Sequence, residues 1–202
     1  MIFNSLQFLI FLPIVLLINY ILPKKIRYIW LLLASYFFYM CWNAKYALLL
    51  FGSTFVTYLS GLIMARINEK LEAKKYEEKK AVTLKKLTVA GSFIINLGIL
   101  AFFKYSNFFL TAVGMVARKA HIELNLPYID VLLPVGISFY IFQALSYTMD
   151  VYRNDIYAEK NFARYALFVS FFPQLVAGPI ERSKNLLGQL EEMGKRNLMS
   201  FE

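Results

Sequence analysis

The stretch LPVGISFYIFQALSYTMDVYRND, residues 133–155, determines how the rest of the chain is interpreted. It is apolar enough to enter a membrane, yet it begins at a Pro-x-Gly break and carries Gln143 and Asp150 inside. Backbone groups freed at such a break find no partner in lipid, so breaks are tolerated only against protein or a water-filled cavity. The stretch therefore predicts a span that packs beside other helices or beside an aqueous path.

Polar side chains recur along this stretch at helical spacing. Gln143, Ser146 and Asp150 are three to four residues apart, which places them on one face of a helix. Together with Ser138, such a face would line an aqueous path or bind a neighbouring helix. Arg153 lies three residues after Asp150, within reach of an intrahelical ion pair. The alternative is an ordinary surface pair at a helix terminus, where charge is tolerated.

A second break follows in FVSFFPQLVAGPIER, residues 168–182. A helix that ends at a glycine before a proline is common, but here Pro173 and Pro179 bracket only five residues, and two charges follow. This pattern favours a bent or re-entrant segment packed beside the first stretch. The predicted path residues are Pro134, Gly136, Ser138, Gln143, Ser146, Asp150, Arg153, Gln174, Gly178, Pro179, Glu181 and Arg182.

The composition indicates a polytopic membrane protein. The chain is 59% hydrophobic with a mean hydropathy of +0.52, above the balance typical of soluble domains. Charged residues are absent from 1–23, 28–44, 46–65, 87–103, 131–149 and 165–180, and each gap approaches the length that crosses a core of roughly 30 Å. The alternative is a large soluble helical core, but the helices of a soluble protein would show a polar face at every turn. We therefore predict an all-α transmembrane protein of about five to six spans, with broken helices near 134 and 173–179.

The distribution of basic residues predicts the orientation of the spans. The positive charges of the first segment follow its apolar run, which is the reverse of a signal peptide and places Lys24, Lys25 and Arg27 in the cytoplasm. The charged segment 66–86 is predicted to be a cytoplasmic helix or loop, and 183–202 an amphipathic interfacial segment. The net charge of +9 then reflects topology and contact with lipid head groups, not nucleic-acid binding.

Several kinds of chemistry lack their motifs. The single cysteine, Cys41, rules out an internal disulfide and is predicted to be a buried, inert thiol. Patterns for a serine nucleophile, a metal site or a phosphate loop are absent, so no metal is expected. Residues 87–117 leave two alternatives open: one helix that extends beyond the bilayer with Lys104 at its surface, or a break near Tyr105–Asn107.

The two broken stretches, LLPVGISFYIFQALSYTMDVYRND and FVSFFPQLVAGPIER, resemble the membrane-bound O-acyltransferase family. The similarity is strongest to its alginate and peptidoglycan O-acetyltransferase branch, and the N-terminal MIFNSLQFLIFLPIVLLINYILPKKIRYIWLLLASYFFYMCWN is similar to that branch as well. The resemblance extends over essentially all 202 residues. Two long motifs in the family's order make it specific.

The resemblance implies a multi-pass enzyme of the bacterial cytoplasmic membrane that transfers an acyl group to an envelope polysaccharide. It implies no bound cofactor, an acetyl-CoA or acyl-carrier thioester as donor, and a possible extracytoplasmic partner protein. The family's catalytic histidine follows the second motif, whereas the only histidine here, His121, lies in a polar turn. We therefore expect an N-terminal part with no catalytic residue of its own. The alternative is a transporter or flippase of glycan or lipid intermediates, because broken helices also mark transporter sites.

Overall fold

The computed structural model of the protein describes residues 5–119, 134–178 and 183–193. Within these ranges the chain is helical and contains no strand, as the sequence predicts. The helices are α1 (Leu6–Ile21), α2 (Lys24–Met40), α3 (Ala44–Glu72), α4 (Glu78–Lys119), α5 (Ile137–Tyr152), α6 (Phe162–Ser170), α7 (Phe172–Ala177) and α8 (Ser183–Met193).

Two helices are long and apolar enough to cross a membrane. These are α3, with 29 residues, and α4, with 42 residues, whereas α1 is a shorter apolar helix of 16 residues. The helix α4 runs without a break through Tyr105–Asn107, so the alternative of a break there is wrong; the extension of the helix beyond the bilayer stays a prediction. Its length is about 63 Å at 1.5 Å per residue, roughly twice the hydrocarbon thickness. The total of five to six spans stays a prediction.

Short polar motifs begin and end the helices. The side chains of Asn43 and Asn161 accept hydrogen bonds from the first amides of α3 and α6, respectively, as N-cap residues do. Helix α3 ends in a Schellman motif: the amide of Lys75 donates to the carbonyl of Lys70 at 2.9 Å, and Lys74 has a φ of 54°. Glycine usually occupies that left-handed position. The sharp turn after it starts α4 only a few residues later.

The charged segment 66–86 is mostly helical, because it continues α3 to Glu72 and begins α4 at Glu78. Of the two forms that the sequence leaves open, helix or flexible loop, the structure has a helical hairpin with a short turn. Its placement in the cytoplasm stays a prediction.

Helix α3 is the centre of the packing and contacts α2, α4, α5 and α6. The core between these helices is rich in aromatic residues: the rings of Tyr147 and Tyr165 lie 4.4 Å apart, and both residues are fully buried. A small residue permits the close approach of α5 to α3, since a Cβ on Gly61 would lie 2.8 Å from the hydroxyl of Tyr147. The hydroxyl of Tyr165 donates to Thr57 Oγ1 at 2.7 Å. This interior holds α5, α6 and α7 in place.

Candidate functional site

The first break lies immediately before α5 and touches the second break. Gly136 has a φ of 72° and is the N-cap of α5, which begins at Ile137; the residues before Pro134 lie outside the described ranges, so the break of a preceding helix there stays a prediction. A Cβ on Gly136 would fall far inside the van der Waals radius of the carbonyl oxygen of Leu175 in α7. Glycine is thus required twice here, by the left-handed backbone and by the approach of α7.

The second break separates two consecutive helices, α6 and α7. Helix α6 ends at Ser170, and α7 begins at Phe172 with Pro173 in its first turn, a position where a missing amide hydrogen does no harm. At the other end, a Cβ on Gly178 would lie 2.6 Å from Gln174 Cα. The structure therefore forms the predicted bend, as two helices that meet at Phe171.

Side chains of α2 and α5 bind two of the backbone groups that this bend frees. In a continuous helix the amide of Phe172 would donate to the carbonyl of Phe168, but it donates to Ser35 Oγ at 3.3 Å instead. Gln143 Nε2 then donates to the carbonyl of Phe168 at 2.6 Å and to Gln174 Oε1 at 3.2 Å. Gln143 is only 4% exposed. Its side chain therefore stabilises the junction between the two breaks.

Asp150 lies in the last turn of α5, which ends in a second Schellman motif. Asn154 has a φ of 61°, and the amide of Asp155 donates to the carbonyl of Asp150 at 2.9 Å. The hydroxyl of Ser183 in α8 donates to Asp150 Oδ2. A carboxylate in the last turn is disfavoured by the helix dipole, so the hydrogen bond from Ser183 offsets an unfavourable position.

The predicted ion pair between Asp150 and Arg153 is wrong for the part of the chain that the structure describes. Arg153 is the C-cap residue of α5 and is exposed, and the partner of the Asp150 carboxylate is Ser183. The backbone is still helical at Arg153, whose amide donates to the carbonyl of Met149, so the pair is absent because the Asp150 carboxylate is turned to α8 while the Arg153 side chain is exposed.

One face of α5 is left open by the other described helices. Phe139 and Phe142 are 42% and 47% exposed, and the half-buried Ser138, Ser146 and Asp150 lie on the same side of the helix. Gln143 lies at the edge of this face, seven residues before Asp150, and α6 and α7 cover its side chain at the junction. The predicted polar stripe is therefore divided: Gln143 is in the protein interior, Asp150 is bonded to Ser183 of α8, and Ser138 and Ser146 are on the open face.

Other predicted residues contribute elsewhere or lie outside the described residues. Gln174 accepts the bond from Gln143, and Pro134 is buried beside Gly136. Pro179, Glu181, Arg182 and His121 lie outside the described ranges. Cys41 is exposed, so its predicted burial is wrong, because α2 ends at Met40 and leaves the thiol in the following turn.

Sequence reasoning missed two supporting residues of α2, Ser35 and Tyr39. Ser35 accepts from the second break, and the Tyr39 hydroxyl donates to the carbonyl of Val135 at 3.2 Å in the first break. Both are buried. Their four-residue spacing inside an apolar span is the signal that could have marked one polar edge of α2.

The described residues contain no histidine and no group of three His, Cys, Asp or Glu residues that could hold a metal ion. The described site therefore consists of buried hydrogen bonds around the two breaks and contains no histidine that could act as a general base.

Several curated proteins are similar to this chain over nearly its whole length. A probable alginate O-acetylase of Pseudomonas putida is 40% identical over 94% of this chain and 37% of its own length. Its counterpart from Pseudomonas aeruginosa is 35% identical over 94% of this chain and 34% of its own length. A peptidoglycan O-acetyltransferase of Helicobacter pylori is 32% identical over 89% of this chain and 35% of its own length.

The chain thus spans about a third of the length of the curated relatives it matches. No protein-family model and no solved structure matches it.

Proposed function

The chain belongs to the same family as these alginate and peptidoglycan O-acetyltransferases, and from that premise we propose that it is part of a membrane enzyme that O-acetylates a cell-envelope polysaccharide. The enzyme would be a multi-pass protein of the bacterial cytoplasmic membrane. Its acyl donor would be acetyl-CoA or an acyl-carrier thioester from the cytoplasm. Its acceptor would be a glycan hydroxyl outside the membrane, reached with the help of an extracytoplasmic partner protein.

The observation that carries this proposal is the joined pair of breaks beside the open face of α5. Gly136 contacts Leu175, and Gln143 binds both Phe168 and Gln174. Broken helices at membrane depth are tolerated where they line a cavity or are buried in protein. Here the backbone groups of Val135, Phe168 and Phe172 are hydrogen-bonded to side chains on the protein side, and the other side of α5 is left for a substrate path.

In this role the residues of the chain position substrates and do not act as the base. The rigid junction fixes the direction of α5, and the face with Ser138, Ser146 and Asp150 offers hydroxyl and carboxylate groups to a polar ligand. Well-oriented groups lower the barrier by holding reactants in place. The general base and the donors that stabilise the oxyanion would come from residues outside the described ranges.

Asp150→Ala in the full-length protein tests this role. We expect O-acetylation of the envelope polysaccharide to fall at least about tenfold, which corresponds to roughly 1.4 kcal/mol of transition-state stabilisation. The measurement is acetate released by mild alkali from purified glycan, normalised to the amount of protein in the membrane. Asp155→Ala is the matched control, because Asp155 is an exposed carboxylate just beyond the same helix, and it should retain normal O-acetylation.

Two results would contradict the proposal. Normal O-acetylation in the Asp150→Ala variant would show that Asp150 is an ordinary surface residue of the helix terminus that takes no part in the transfer. Unchanged O-acetylation after deletion of the whole gene, combined with reduced export of the glycan, would instead support the transporter function.

A further inference from the structure

A groove between α3 and α4 opens beside the turn that joins them. Its cavity has a volume of about 260 Å³. The groove is lined at one end by cationic and phenolic side chains and elsewhere by apolar ones. The lining residues are Ile63, Arg66, Ile67, Lys70, Tyr76, Leu84, Leu87 and Thr88.

The polar end of this groove presents three hydrogen-bond donors. Arg66 and Lys70 are one turn apart on α3 and both are exposed. Among the described residues the ion pair that forms joins Arg164 and Glu159, so neither cation of the groove is paired with a described carboxylate. Lys70 Nζ donates to the hydroxyl of Tyr76 at 3.3 Å. The phenolic proton of Tyr76 is then directed to another acceptor, and the three groups together favour an anion with several oxygens.

The remainder of the groove is apolar and faces outward. Ile63 and Leu87 are 46% and 69% exposed. Ile63 precedes Arg66 on α3 and Leu87 follows Leu84 on α4, so both lie toward the apolar part of their helices. These two helices are the ones long and apolar enough to span a membrane. The cationic end is therefore located where the apolar segments begin, which is the depth of lipid phosphate groups.

We propose that this groove binds a single anionic phospholipid. Its phosphate contacts Arg66, Lys70 and the hydroxyl of Tyr76, and one acyl chain lies along Ile63 and Leu87. The charge of the groove complements the phosphate, and its apolar part complements the chain, whereas a free phosphate would use only the first. This site is separate from the proposed substrate path and does not depend on the acetyltransferase function.

Native mass spectrometry of the purified protein in detergent tests the proposal, with phosphatidylglycerol and phosphatidylcholine as probes. The wild type should retain one phosphatidylglycerol in preference to phosphatidylcholine. Each basic residue near a membrane surface strengthens binding by about fivefold, so Arg66→Gln combined with Lys70→Gln should weaken phosphatidylglycerol binding by about thirtyfold. Tyr76→Phe, which removes only the hydroxyl, should weaken it by a smaller factor.

The matched control is Lys74→Gln combined with Lys75→Gln. It removes the same charge from the same hairpin but from outside the groove, and its binding should equal that of the wild type. An equal loss in both double variants would mean diffuse electrostatic attraction and would overturn the site. Displacement of the lipid by glycerol 3-phosphate or coenzyme A would overturn it in another way, because the groove would then bind a soluble phosphate compound.

Discussion

Replacement of Gly136 by alanine should destabilise the protein more than the same replacement at any other glycine that the structure describes. The added Cβ meets two penalties at once. A left-handed backbone costs an L-residue roughly 1–2 kcal/mol, and the carbonyl of Leu175 occupies the space that the Cβ needs. Since that obstacle is backbone and not the end of a flexible side chain, α7 itself must move, at a further cost of roughly 1–3 kcal/mol. The sum is a loss of about 2–5 kcal/mol in the free energy of unfolding.

The assay is reversible unfolding of the purified protein in mixed micelles, followed by circular dichroism. Gly98→Ala is the matched control, because Gly98 is in the middle of α4 and a Cβ there meets no atom within 4 Å; it should cause no loss. A Gly136→Ala variant whose free energy of unfolding is within about 0.5 kcal/mol of that of the wild type would show that the two breaks are not in contact.

Three other substitutions have expected outcomes that the same unfolding assay measures. Gln143→Met should cost about 2–3 kcal/mol, because the buried carbonyl of Phe168 loses its donor; no loss would show that this carbonyl has another partner. Tyr165→Phe should cost about 1–2 kcal/mol through the lost hydrogen bond to Thr57, and a neutral effect would exclude that bond. Lys74→Gly should stabilise the hairpin by about 1 kcal/mol, since glycine is unstrained at a φ of 54°; a loss of stability would contradict the Schellman motif.

The sequence alone predicts where the helices break, but it does not predict which side chains contact the breaks. Proline and glycine act on the backbone locally, so Pro134, Gly136 and Pro173 predicted where α5 and α7 begin without tertiary information. The long apolar run after residue 87 gave no such local signal. The continuity of α4 through Lys104 became clear only from the structure.

Contacts between distant segments were the part that sequence could not supply. Helical spacing placed Gln143, Ser146 and Asp150 on one face, but the face is divided because α6 and α7 cover Gln143 and leave Ser146 open. Likewise, Asp150 has a partner 33 residues away, Ser183, and not the nearby Arg153. Which polar side chain is buried depends on helix packing, which periodicity within one helix does not determine.

The proposed function requires that the open face of α5 borders an aqueous path at membrane depth. The most direct test places single spin labels at Ser146 and, as a lipid-facing reference, at Ile94, which is 72% exposed on α4. Each labelled full-length protein, with Cys41 and any other native cysteine replaced by serine, is reconstituted in a bilayer, and collision with a water-soluble nickel chelate and with oxygen is measured. The label at Ser146 should collide mainly with the chelate and the label at Ile94 mainly with oxygen. If both labels collide mainly with oxygen, the face meets hydrocarbon and no path runs beside it.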